Sequence, residues 1–195
     1  SDMALIVGAD CNSRILNPRD QRTYPLFGDG AGAVLLTKGS PDQGLVRYVL
    51  GSDGSGGDLL NRPMGGSRFP PSCALMEQNQ HYMHMDGRAV FKWAVTVLSE
   101  SIGEVLEAAE MSLDEVDLLV AHQANSRIID AAASGLGIDR GKVFTNLDRY
   151  GNTSAGSVPL ALDEAFDEGR IRRGNHLILS GFGAGLVWGT ALLKW

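Results

Sequence analysis

The chain has 195 residues, with 17 Lys plus Arg against 23 Asp plus Glu and a formal net charge of −6. An acidic chain without a basic face argues against gripping a phosphate backbone. At 44% hydrophobic residues it is not intrinsically disordered, and no run approaches the ~18 uncharged apolar residues of a membrane helix. Two cysteines, Cys11 and Cys73, are too few for a disulfide scaffold or a four-thiolate zinc site. The opening residues carry no secretory signal pattern, so the cytoplasm is the expected compartment.

In chain order, Ala4 to Gly8 is a short apolar run that reads as a buried parallel strand. Residues 11–27 are polar, hold Pro18 and Pro25, and read as a loop. Gly30 to Leu36 reads as a glycine turn entering a strand, and Gly44 to Leu50 as another strand. Residues 51–80, rich in Gly, Pro, Ser and Asn, form an unusually long loop whose function would be a lid, a subunit contact or a plain surface excursion. HYMHM, residues 81–85, reads as a strand. Positions three apart on a strand face opposite ways, so His81 and His84 with Asp86 do not share a metal.

Residues 87–110 hold the strongest helical pattern. Phe91, Ala94, Val95, Leu98, Ile102, Val105 and Ala109 recur at helical spacing, with charges on the other face. Val116 to Ala121 is an apolar strand, followed by HQAN and a helix over about 125–136. Val143-Phe144 is a short strand candidate. Ser157 to Glu168 is a helix that tolerates Pro159 in its first turn. Leu177–Leu179 and Val187–Leu193 are the last strands. Strands alternating with helices predict an α/β fold.

The sequence also repeats itself. ALIVGAD, a loop and GDGAGAVLLTK near the start match HLILSGFGAGLVWGTALLKW at the end, with Gly30-Ala31-Gly32 aligned on Gly183-Ala184-Gly185. A duplicated α/β unit is implied. More than half of the chain precedes the second closing pair of strands and almost nothing the first, so the front of the first repeat is expected to be missing.

Three segments carry candidate chemistry. His122 follows a strand and precedes a helix, the place where ligands bind in open α/β sheets. Asn152 sits in a Gly-rich turn, where its amide can donate to an oxygen gaining negative charge. GFGAG lets backbone N–H groups approach a reacting oxygen, with Phe182 beside it. Taken singly, a structural histidine, a turn-forming Asn and a core Phe are the commoner readings.

Together the segments AHQANSRII, NLDRYGNTSAGSVPLALDEA and SGFGAGLVWGTALL resemble the C-terminal half of the 3-oxoacyl-[acyl-carrier-protein] synthase III family. FGDGAGAVLL is similar to that family's segment at the junction of its two halves. The resemblance implies a thiolase-like αβαβα layered fold. It divides the chain into the closing strands of an N-terminal half, residues 1–46, and a C-terminal half, residues 47–195. It implies a decarboxylating Claisen condensation of malonyl-ACP with an acyl-CoA primer, initiating fatty acid synthesis. No cofactor is implied beyond these two substrates. The implied partners are the acyl carrier protein, acyl-CoA, the missing N-terminal half and a second copy in a homodimer.

By the same resemblance, His122 and Asn152 are catalytic and hydrogen-bond the malonyl thioester carbonyl. Ala184 supplies an oxyanion-hole N–H and Phe182 lines the active site. Asn125, Phe91, Arg88 and Arg22 match pantetheine- or CoA-binding positions, and Lys92 and Arg127 match carrier-protein docking positions. Two positions depart from the pattern: Gln21-Arg22 stands where an Arg-Gly pair is frequent, and Arg88 stands where Asn is common. The family's nucleophilic cysteine lies outside this chain, and Cys11 and Cys73, without its context, read as buried or inert thiols. Two alternatives stay open. One is a non-catalytic short homologue that binds acyl thioesters or carrier protein. The other is a synthase of the same family working in polyketide or alkylquinolone starter chemistry.

Overall fold

The computed structural model describes residues 2–195. Strands β1 (Met3–Asp10) and β2 (Gly30–Thr37) pair antiparallel, with Ile6 opposite Val34 and Gly8 opposite Gly32. Strand β3 (Gly44–Ser52) follows and belongs to a second sheet. The excursion after it holds β4 (Leu60–Asn61), the short helix α1 (Cys73–Glu77) and β5 (His84–Met85), with β4 and β5 paired. Then come α2 (Gly87–Ala108), β6 (Leu118–Ala121), α3 (Ser126–Leu136) and α4 (Leu147–Tyr150). Helix α5 (Ser157–Asp167) and strands β7 (His176–Gly183) and β8 (Val187–Lys194) complete the chain. The second sheet runs β3-β8-β7-β6, parallel between β6 and β7 and antiparallel elsewhere.

Period-two alternation divides the second sheet between two cores. Leu119, Ala121, Ile178 and Leu192 face α2 and α3, joining Leu98, Ile102, Val105 and Ile129. Leu118, Val120 and Leu177 face α5, joining Ala161, Leu162 and Ala165. Strand β6 is therefore buried on both sides, which is why LLVA carries no polar residue. Helix α5 lies between the two sheets, because Val34 of β2 packs against the same cluster as its inner face. The resulting order, helices, sheet, helix, sheet, supplies four layers of an αβαβα fold.

Local signals set the helix ends. Asp86 caps α2 by accepting from Ala89 N at 3.0 Å, and Asn125 caps α3 by accepting from Arg127 N at 2.9 Å. Gly137 closes α3 in the left-handed region, φ 75°. Glycine is required where the layers touch at Gly8: a Cβ there would collide with the Ala155 carbonyl, so β1 could not lie against the turn before α5. Among the described residues, no helix is long and apolar enough to cross a membrane.

Five expectations are corrected. The Ala4–Gly8 strand is neither parallel nor buried: β1 pairs antiparallel with β2, and Leu5 and Val7 are 66% and 60% exposed. The repeat is present as two antiparallel pairs of eight-residue strands, but the glycine alignment misregisters it. Gly30-Ala31-Gly32 lie inside β2, whereas Gly183 ends β7 and Ala184-Gly185 form the turn to β8. Residues 81–83 form a turn rather than a strand, and Val143 makes only an isolated bridge to Leu119. The 51–80 excursion is partly ordered by α1, β4 and a 3-10 turn at Gly54–Gly56.

The two-sided burial of the central strands generates a stability prediction. Ile178 is fully buried between β6 and β8, beneath α2 and α3. Ile178→Ala should cost about 2–5 kcal/mol in urea unfolding. A cost below about 1 kcal/mol would mean that this core is not close-packed.

Candidate active site

The parallel pairing of β6 with β7 ends where the candidate chemistry begins. Ala121 closes β6 opposite Ser180, and the next residue, His122, donates its backbone N–H to the Ser180 carbonyl at 2.7 Å. The His122 ring is buried, with Nδ1 2.5 Å from the Ser157 hydroxyl. The ring of Phe182, two residues further along β7, stands edge-on to it at 5.2 Å. Phe182 in turn meets Trp93 of α2 edge-on at 5.9 Å. Burial alone holds the imidazole pKa down to about 4, so His122 is neutral at ordinary pH and a weak proton acceptor.

Asn152 reaches the same place from the turn between α4 and α5. Its backbone bridges the loop after β1: Asn152 N donates to Leu26 O at 2.8 Å, and Gly28 N donates to Asn152 O at 2.9 Å. Gly151 before it takes φ 66°, a left-handed conformation close against the Leu26 carbonyl. The Asn152 Oδ1 accepts from Ser154 N at 2.9 Å. That bond assigns the oxygen and leaves the Asn152 NH2 group as the donor for a ligand.

Two cavities meet at these residues. The larger, about 1120 Å³, is lined by Arg22, Arg88, Phe91 and Asn125 together with His122, Asn152 and Phe182. The second, about 650 Å³, adds Ala184, Ala155 and Val158 to the same His122, Asn152 and Phe182. Eight of the ten sequence-predicted residues thus line one connected region. Lys92 and Arg127 line neither cavity; both are exposed and flank the lining residues Phe91 and Asn125. Arg22 is 91% exposed and pairs loosely with Asp20 at 3.4 Å.

Both cysteines are exposed, which corrects the expectation of burial. Cys11 donates to Asp29 Oδ2 at 3.4 Å, Cys73 is the first residue of α1, and neither lines either cavity.

The supporting residues carried weaker signals. Gln123 is fully buried: its amide donates to Ala121 O at 2.8 Å and to Phe144 O at 3.4 Å, and its Oε1 accepts from Asn146 N at 3.2 Å. Asn146 Nδ2 then donates to Glu164 at 2.7 Å, and Arg149 and Tyr150 donate to the same carboxylate. Asn12, buried in the first loop, donates to Gly28 O at 2.7 Å and to Asn152 O at 3.3 Å. Polar residues adjacent to strand ends were the only sequence signal for Gln123 and Asn12. Burial raises the Glu164 pKa, but the hydrogen bonds from Tyr150 and Asn146 and the Arg149 charge outweigh it, leaving a net lowering.

Family models for 3-oxoacyl-[acyl-carrier-protein] synthase III match residues 1–54, and for its C-terminal region residues 106–195. The chain belongs to this family. A beta-ketoacyl-[acyl-carrier-protein] synthase III of Rhodopirellula baltica is 50% identical over 209 residues, 98% of this chain and 61% of the relative. The crystal structure of the Thermus thermophilus synthase III superposes with a TM-score of 0.92 at 44% identity, over 100% of this chain and 60% of that one. The synthase III of Pseudomonas aeruginosa gives 0.90 at 43%, over 100% and 58%. The layers described above are thus those of a thiolase-like fold, and the chain spans about three fifths of its relatives.

The buried imidazole sets a pH dependence. An unfolded His takes up a proton near pH 6.5, whereas folded His122 refuses it until about pH 4. Its contribution is therefore complete above about pH 6.5 and is lost as the pH falls toward 4, a difference of about 3 kcal/mol at most. His122→Gln should lose less stability between pH 7 and pH 4.5 than the parent chain in urea titrations. Equal pH slopes would show that His122 is not buried as a neutral ring.

Proposed function

We propose that this chain is the greater part of a decarboxylating condensing enzyme that joins malonyl-ACP to an acyl-CoA primer and so initiates fatty acid synthesis. The observation that carries this reading is the convergence of a buried neutral imidazole, His122, and the Asn152 NH2 group where two cavities meet. Such a pair suits an oxygen that is neutral in the substrate and negative in the transition state.

In the proposed reaction the malonyl thioester carbonyl lies between these donors. The bond from C2 to the carboxylate breaks, carbon dioxide leaves, and its electron pair forms an enolate whose oxygen the two N–H groups stabilise. The enolate carbon then attacks an acyl thioester held on a cysteine, and the cysteine sulfur departs as thiolate. The enolate oxygen forms without a proton transfer, so the low basicity of His122 is no handicap for its role. Phe182 keeps the imidazole edge dry, and the Ala184 N–H serves the acyl-transfer oxyanion. Asn125, Phe91, Arg88 and Arg22 receive the pantetheine arm and nucleotide end, and Lys92 and Arg127 meet the acidic carrier protein at the rim. The chemistry uses only the two thioester substrates and no cofactor. A homodimeric, cytoplasmic enzyme completes the reading.

The nucleophile has to come from polypeptide outside these 195 residues, because Cys11 and Cys73 both stand away from the cavities. The exposed apolar faces support the same view. Leu45, Tyr48 and Leu50 of β3 are 57%, 61% and 73% exposed. Helix α5 covers the β6 and β7 side of that sheet face and leaves the β3 side open. Covering it takes further layers, the remaining two fifths of a full-length synthase, and residues 1–46 are the end of that first half.

In the complete enzyme, His122→Ala and Asn152→Ala should each lower malonyl-thioester decarboxylation, read as carbon dioxide release, by about 10²–10³-fold. Acyl transfer to the cysteine should persist. Full decarboxylation in either variant would remove the basis of the proposal. Leu50→Asp gives a separate check: neutral for this chain alone, it should destabilise the complete enzyme by about 2 kcal/mol or more if the face is covered.

A further inference from the structure

We propose that Ser157 is a positioning residue for the condensation, whose hydroxyl proton holds His122 in the tautomer that carries hydrogen on Nε2. The inference deepens the proposed function and rests on it.

Ser157 is the first residue of α5 and is buried, 1% exposed. Its hydroxyl oxygen accepts the backbone N–H of Gln123 at 3.3 Å and lies 2.5 Å from His122 Nδ1. A hydroxyl has one proton and two lone pairs, so the second bond has two possible arrangements. If Nδ1–H donated to Ser157, the oxygen would accept twice, and its own proton would be buried without an acceptor. That arrangement would also turn a bare Nε2 lone pair toward an oxygen gaining negative charge. If Ser157 donates to Nδ1, every group is satisfied and Nε2–H becomes a donor matching the Asn152 NH2.

The Gln123 N–H that enforces this choice is itself fixed. The Gln123 side chain ties the end of β6 to Phe144 and Asn146, so residue 123 cannot turn its N–H away without breaking three bonds. His122 is separately pinned through its backbone N–H to Ser180. The rotation of the ring and the place of its proton are then the two freedoms left, and Phe182 and Ser157 remove one each. The sequence pattern AHQ followed by AGS at a helix start thus carries a three-residue unit: base-poor ring, proton donor and the N–H that orients the donor.

The test uses the complete enzyme with ¹⁵N-labelled histidine, comparing the parent with Ser157→Ala and Ser157→Thr. In the parent, His122 should show an unprotonated Nδ1 and a protonated Nε2 at neutral pH. Ser157→Ala should populate the Nδ1–H tautomer and lower the decarboxylation kcat by about tenfold or more, with KM within about twofold. Ser157→Thr, which keeps the hydroxyl, should restore both. A parent ring protonated at Nδ1 overturns the proposal. A Ser157→Ala variant that changes the tautomer without kcat, or kcat without the tautomer, also overturns it. His122→Ala separates the two ideas: if it leaves decarboxylation intact the proposed function fails, while the ring resonances still decide what Ser157 does.

Discussion

The parallel ladder between β6 and β7 is the constraint on which the site depends. It brings two strands to their carboxyl ends in the same register, so that His122 and Phe182 leave the sheet side by side. It also leaves β6 buried on both faces right up to the residue that enters the cavities. Any polar group placed there must find protein partners, since an unpaired buried donor or acceptor costs about 1–3 kcal/mol. His122, Gln123, Ser157, Asn146 and Asn152 are all buried, and each is hydrogen-bonded. His122 and Asn152 are thus the cavity-facing end of a polar network whose first task is to be satisfied.

That network explains why the site spans distant parts of the chain. Asn152 is held by Leu26 and Gly28 from the loop after β1, and Asn12 from the same loop clamps its carbonyl. Gly8, beneath the Ala155 carbonyl, lets β1 approach closely enough for these bonds to form. On the other side, Glu164 collects Asn146, Arg149 and Tyr150 and ties the short α4 turn down to α5. The two repeats therefore meet at Asn152. Tyr150 and Glu164 share one strong bond, which keeps the Tyr150 proton in place, chiefly through that bond, and raises its pKa.

Much of this was legible in the residues. The helical spacing of α2, the uninterrupted LLVA run and the position of His122 after it follow from side-chain geometry, and each appears where expected. Glycine was the misleading signal. GAG in β2 marks close packing of a strand on Thr153 and Pro159, whereas GAG after β7 marks a turn, and a shared motif cannot distinguish the two uses. Apolar runs also mislead where the strand they form is left exposed. ALIV reads as buried because it is apolar on both faces, yet β1 is covered on one face only and in part. Ser157 escaped notice because a serine opening a helix has an ordinary capping explanation; its bond to His122 is formed by two segments that the sequence separates widely.

One helix closes part of both sheets, and the rest of their facing surface stays open. Helix α5 precedes β7 and packs on β2, β6 and β7, so one helix serves both sheets. The faces it does not reach are apolar: Ile6 on β1 is 55% exposed, and Tyr48 and Leu50 on β3 are more so. A Cβ at Gly189 of β8 would press on the Leu50 side chain. In the proposed enzyme, this open apolar surface is where the rest of a full-length synthase, and with it the nucleophile, would pack.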